Sequence, residues 1–236
     1  MKNVVIIYAK WPEKGATKTR VGKVTGKNFA YELSVRCFDD LIKNISLAKS
    51  YDLIVGVNSK REARLFKQKY EIDSLIVQPV KAGSKQEKQS IKFRRIFSTL
   101  LDDKHYEKAI LIPMDVPYLT EQDLNKAFGD LDKRQFVFGP EHNGGVYLIG
   151  VRGPFKQDIF ENVRWSTENS FIDLTVNTQG ECIQLRYFDD INEFDDLFKI
   201  KDKIELLCPS VYDLVVRTIR LTDKLRTSLE VHNGDY

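Results

Sequence analysis

Along this chain, short apolar runs alternate with longer segments whose apolar residues recur every three or four positions. The runs at 4–9, 52–57 and 74–78 read as strands, and the segments at 28–49 and 60–70 between them read as helices. Ala30, Leu33, Cys37, Phe38, Leu41, Ile42 and Ile45 mark the buried stripe of the first helix. Strand, helix and strand repeated in this way predict a parallel sheet with right-handed crossovers.

The polar stretch at 81–92 predicts a loop running into a helix that carries Ile91, Ile96, Phe97, Leu100 and Leu101 on its apolar face. Next comes Ala109-Ile110-Leu111-Ile112, an unbroken apolar run that suits a strand buried on both faces. Thr120, with Asp123 three positions later, is placed to cap the helix that follows. Further strands are expected at 135–139, 146–151 and 181–187, and helices at 154–160 and 169–179, the second ended by Gly180. Helices from about residue 193, chiefly 203–230, complete one domain spanning 1–236. The expected class is α/β: a Rossmann-like three-layer α/β/α arrangement with a mostly parallel sheet.

A net charge of +3 is too small to indicate nucleic acid, and aromatic residues are not interleaved with the basic ones as stacking platforms would require. No window holds the run of apolar residues that a membrane span needs, and the short apolar start reads as a first strand rather than a signal peptide, which predicts a cytoplasmic protein. Cys37, Cys182 and Cys208 are far apart and odd in number, so they read as buried or half-buried free thiols.

Three places carry candidate chemistry. The loop after the first strand, residues 10–23, holds two glycines, a proline and five basic residues, a composition able to wrap N–H groups and cations round a phosphate. Neither the Walker A spacing nor a G-x-G-x-x-G is present. Asp115 ends the buried strand, where open α/β sheets collect ligands, and Asp189-Asp190 follows another strand; the two acidic loops either converge on one cation or cap turns. Gly144-Gly145 between two strands either admits a ligand close to the backbone or makes a turn, and His142 beside it reads as a loop residue.

Residues 8–20 (Tyr-Ala-Lys-Trp-Pro-Glu-Lys-Gly-Ala-Thr-Lys-Thr-Arg), 113–120, 139–150 and Trp165-Ser166-Thr167 together resemble the DUF2064 family over about residues 3–200. That family is associated with glycosyltransferases of the GT-A, nucleotide-diphospho-sugar transferase fold, and is similar to small nucleotidyltransferases. The resemblance implies that Lys18, Arg20 and Asp115 form the catalytic set. Ala9, Lys10, Gly15 and Arg94 would join Lys18 and Arg20 on the nucleotide, and Asp115 with Asp190 would hold Mg²⁺ or Mn²⁺. Asn143, Gly144, Gly145 and Trp165 would form the acceptor or sugar pocket. The partners implied are a nucleotide or nucleotide-sugar and a small-molecule acceptor, with a homodimer one option for the assembly.

Three positions depart from the family pattern. Asn143 stands where an Asp usually precedes the two glycines, Ser90-Ile91-Lys92-Phe93-Arg94 replaces a segment like Asp-Leu-Gly-Glu-Arg, and Asn192 replaces the second acid of Asp-x-Asp. Fewer carboxylates leave less charge to hold a cation. Two functions follow: a metal-assisted glycosyl or nucleotidyl transferase, or a nucleotide-binding protein of the same fold with weak catalysis.

Overall fold

The computed structural model describes residues 2–46, 50–77, 79–81, 83–155 and 158–232, with side chains as far as residue 220. Its centre is a sheet of seven strands: β1 (Asn3–Tyr8), β2 (Asp52–Val57), β3 (Asp73–Ile76), β4 (Lys108–Pro113), β5 (Phe136–Pro140), β6 (Val146–Arg152) and β7 (Cys182–Gln184). They lie in the order β3-β2-β1-β4-β6-β5-β7. Only β6 runs against its neighbours; every other pairing is parallel.

The helices are α1 (Thr19–Thr25), α2 (Lys27–Ile45), α3 (Lys60–Tyr70), α4 (Lys85–Ser98), α5 (Glu121–Asp130), α6 (Ser170–Asn177), α7 (Asp196–Lys199), α8 (Lys201–Leu207) and α9 (Pro209–His232). Alternation along the central strands builds two cores. Val5 and Ile7 of β1, with Ile110 and Ile112 of β4, face the layer holding α2, α3 and α5. Val4, Ile6, Ala109 and Leu111 face the layer of α4 and α6. The strand ending at Asp115 is therefore buried on both sides, as its unbroken apolar run requires. The three-layer α/β/α class holds.

Local chemistry fixes the boundaries. Thr120 Oγ1 accepts from the Asp123 N–H while the Asp123 carboxylate accepts from the Thr120 N–H, so an Asp closes the capping box that opens α5. Ser84 and Glu87 do the same for α4. Residues 154–160 do not form the expected helix: among the described ones, 159–162 are turns. The Asp158 carboxylate accepts from the Phe160 N–H two residues on, an Asx turn that competes with helix, while Phe160 stacks on Phe97.

The strand expected at 181–187 is ladder only over Cys182–Gln184; beyond it the chain stays extended, donating from Leu185 to the Phe138 carbonyl and from Phe188 to that of Pro140. The helix expected over 203–230 is two helices, because Pro209 opens α9 as a first-turn residue and α8 stops before it. The ends of the segments expected at 28–49 and 74–78 fall on 47–49 and 78, outside the described residues. Cys37 and Cys208 are buried and Cys182 half-buried, all three free.

Candidate active site

From β1 the chain passes to β2 and β3 on one side, while β4 leads to β5 and β6 on the other. The strand order reverses between β1 and β4, and the crevice outside their carboxyl ends is where an open α/β sheet takes ligands. Tyr8 and Pro113 pair at that edge. Two cavities of about 280 and about 530 Å³ open there, and Tyr8 lines both.

The loop after β1 turns at Gly15, whose φ of +80° suits glycine, and closes with an Ala16 N–H to Glu13 carbonyl bond. Lys18 follows in the left-handed region at φ 41° and precedes α1, a short helix inside a segment that the sequence presented as loop. This backbone turns the Lys18 side chain inwards, to 6% exposure. Its ammonium donates to Asp115 Oδ1 at 2.5 Å and to the Ile191 carbonyl at 2.7 Å. Burial pulls the Lys18 pKa down, but the charge and hydrogen bond of Asp115, with the smaller influences of Cys37 and Asp190, together outweigh it and hold the group above its ordinary value.

The acidic segment after β7 is clamped across the same crevice. Ile191 donates its N–H to the Asp115 carbonyl at 3.0 Å. The Tyr118 hydroxyl donates to the Asp189 carbonyl at 2.6 Å and accepts the Asp189 N–H at 2.8 Å. Asp190 is thereby brought towards Asp115: burial pushes its carboxyl up, Asp115 pushes it further, and Lys18 and the Asn192 amide, 2.7 Å away, oppose the shift. The two acidic loops share one crevice.

Ala9, Lys10, Lys18 and Asp115 line the smaller cavity; Arg20, Asn143, Gly145, Trp165 and Asp190 line the larger. Arg20 is exposed, 3.9 Å from Glu193 across the mouth. Trp165 is fixed by its indole N–H to Ser90 Oγ at 2.8 Å and packs edge-on against Phe93. Three of the expected residues line neither cavity. Gly15 shapes the loop from behind. Gly144, at φ +83°, is closed off by the chain itself, since a Cβ there would lie 2.1 Å from the Glu168 carbonyl oxygen. Arg94 pairs with Asp158 on the far side of α4.

One residue of this site had no distinguishing mark in the sequence. Glu141 is 7% exposed and lines the larger cavity. Burial pushes its carboxyl up, the charge of Asp190 adds to the shift, and a hydrogen bond from Asn143 opposes it. Asn143 in turn accepts the Gly145 N–H at 2.7 Å, so the amide braces both the turn and the acid. His142 between them stays at the surface and pairs through Nδ1 with Asp189 at 2.9 Å.

As to a cation, Asp115 and Asp190 offer carboxylate oxygens in one crevice, the kind of ligand that Mg²⁺ or Mn²⁺ takes. Among the described residues no group of three or more acidic, His or Cys side chains is placed to hold a metal ion. No helix among them is long and apolar enough to cross a membrane.

A mostly parallel sheet with one reversed strand, helices on both faces and a crevice at the β1/β4 switch point is a Rossmann-like three-layer α/β/α fold. The structure superposes on a "putative nucleotide-diphospho-sugar transferase" from Desulfovibrio desulfuricans with a TM-score of 0.78 at 22% identity, over 95% of this chain and 98% of that one. It also resembles 4-diphosphocytidyl-2C-methyl-D-erythritol synthase from Anaerococcus prevotii, with a TM-score of 0.54, 11% identity and coverage of 86% and 96%. A nucleotidyl transferase from Methanothermobacter gives a TM-score of 0.54 at 13% identity, with the same two coverages. Residues 42–167, more than half the chain, match the family described as "Uncharacterized protein conserved in bacteria (DUF2064)", and the chain belongs to that family. No functionally curated protein matches it.

Proposed function

We propose that this protein is a transferase that binds a nucleotide or nucleotide-sugar together with a divalent cation and passes a glycosyl or nucleotidyl group to a small acceptor. The observation that carries this reading is the Lys18–Asp115 pair at the switch point, with Asp190 in the same crevice and a cavity on either side of Tyr8. Lys18 and Arg20 supply cations for phosphates, Lys18 as an oriented point charge and Arg20 as a two-pronged donor at the mouth. Asp115 and Asp190 would hold Mg²⁺ or Mn²⁺, which when bound offsets the charge that develops on a departing phosphate. Such a transfer needs little covalent help, so the chain's own work is positioning and electrostatic stabilisation. Trp165, anchored through Ser90, offers an aromatic wall to the acceptor or sugar.

A second reading, a nucleotide-binding protein with weak catalysis, is favoured by Asn143 and Asn192 and by the Lys18 ammonium already on Asp115. A thermal-shift screen of nucleoside mono-, di- and triphosphates and nucleotide-sugars, with and without Mn²⁺, tests both. The transferase reading expects a metal-dependent rise in melting temperature that Asp115→Asn abolishes, and ligand at about a hundred times its Kd adds roughly 2.7 kcal/mol. Pyrophosphate release from a triphosphate would mark nucleotidyl transfer. A shift indifferent to metal and to Asp115→Asn, without turnover, would leave the binding protein.

A further inference from the structure

Tyr8 lines both cavities and Asn58 the smaller one, and Lys92 of α4, which itself lines neither, reaches both of these residues with its ammonium. Its ammonium lies 3.3 Å from the Tyr8 hydroxyl and 3.4 Å from Asn58 Oδ1, and the Tyr8 hydroxyl itself donates to Asn58 at 3.2 Å. The ammonium also sits 6.0 Å from the Tyr8 ring centroid. The side chain is half-buried, and among the described residues no carboxylate lies within ion-pair distance of it. Nearby cations are committed differently: Lys18 is neutralised by Asp115, and Arg94 by Asp158.

An ammonium whose partners are a hydroxyl and an amide oxygen, both on residues that line the cavities, has donors to offer an anion there. We propose that Lys92 is a phosphate-binding residue: it takes the charge of a diphosphate group running past Tyr8, in place of the nucleotide contact that the family resemblance implied for Arg94. This rests on the nucleotide reading given above. Helix geometry explains the exchange, since residues two apart on a helix do not share a face. With Lys92 over Tyr8, Arg94 is turned away to Asp158. Lys also suits the role, because its ammonium is a point charge that serves a phosphate from many directions.

The probe is inorganic pyrophosphate, titrated calorimetrically in Mg²⁺ against the full-length protein, with a panel of nucleoside triphosphates and their parent nucleosides alongside. Lys92→Met is expected to weaken pyrophosphate and triphosphates tenfold or more, a hydrogen bond to a charged group being worth about that. It should leave nucleoside affinity and melting temperature near wild type. Lys92→Arg should retain most of the affinity, and Arg94→Met should lower the melting temperature without weakening pyrophosphate. Pyrophosphate binding that Lys92→Met leaves unchanged, or a loss in Lys92→Met confined to melting temperature, overturns the assignment while the nucleotide reading stands. Wild-type protein that binds neither pyrophosphate nor any triphosphate overturns both.

Discussion

The two sides of the crevice handle charge in opposite ways. On the β1/β4 side, Lys18 and Asp115 neutralise each other inside the protein, at 6% and 33% exposure. On the β5/β6 side, Glu141 is buried and Asp190 half-buried, and both carboxyls are pushed up; an amide hydrogen-bonds each, and Lys18 is the cation that opposes the shift at Asp190. One side is finished in the folded chain, and the other is left electrically open.

The largest break in that comparison should come from Lys18→Met, which strands Asp115 beside Asp190. Removing one partner of a largely buried pair is expected to cost about 3 kcal/mol, read as a fall in melting temperature, and Lys18→Met/Asp115→Asn should cost less than the sum of the single changes. Next is Gly144→Ala, which forces an Ala to positive φ and drives a Cβ into the Glu168 carbonyl. It should destabilise by about 2–3 kcal/mol in chemical denaturation, acting on the open side alone.

Glu141→Gln should act in the other direction. A carboxyl held above its unfolded pKa makes the folded state lose stability as pH rises from the unfolded value towards the folded one. The variant is therefore expected to be more stable than wild type by ~1–2 kcal/mol at neutral and alkaline pH, with the gain vanishing near pH ~4. Denaturation midpoints measured across pH would expose the wrong sign at once. The smallest effect on stability belongs to Arg20→Ala, since its contact with Glu193 is exposed and long; melting temperature should barely move while nucleotide affinity falls.

Much of the fold could be read from the chain because burial leaves a periodic trace. The run at 109–112 is apolar without interruption since both its faces are covered, and Thr120 with Asp123 advertised a helix start through chemistry local to four residues. The segment at 154–160 misled because one short side chain, Asp158, diverted the backbone into a turn. At the site, Asp115 was picked out by its place at a strand end, and Lys18 by the family resemblance within a loop whose composition suits a phosphate. Glu141 was not, because its burial arises from Gly144 packing against Glu168 and from Asn143 bracing the turn. Those are tertiary facts, and an isolated Glu in a polar loop reads as solvated. Arg94 was carried over from a motif position, which does not say which face of α4 the residue occupies or that it pairs with Asp158.

The bond from the Lys18 ammonium to the Ile191 carbonyl joins residues 173 positions apart. During synthesis at roughly 5–20 residues per second, the loop carrying Lys18 emerges 173 positions ahead of Ile191 and waits for that segment before its lysine finds this partner. The sheet of β1 to β4 can assemble early, but the crevice acquires its second wall only when the strap carrying Asp189 to Ile191 arrives and hooks onto Tyr118 and Asp115. Completion of the site is thus a late step in the life of the nascent chain, and a fragment halted at residue 184 would carry the early loop and its aspartate with no pocket around them.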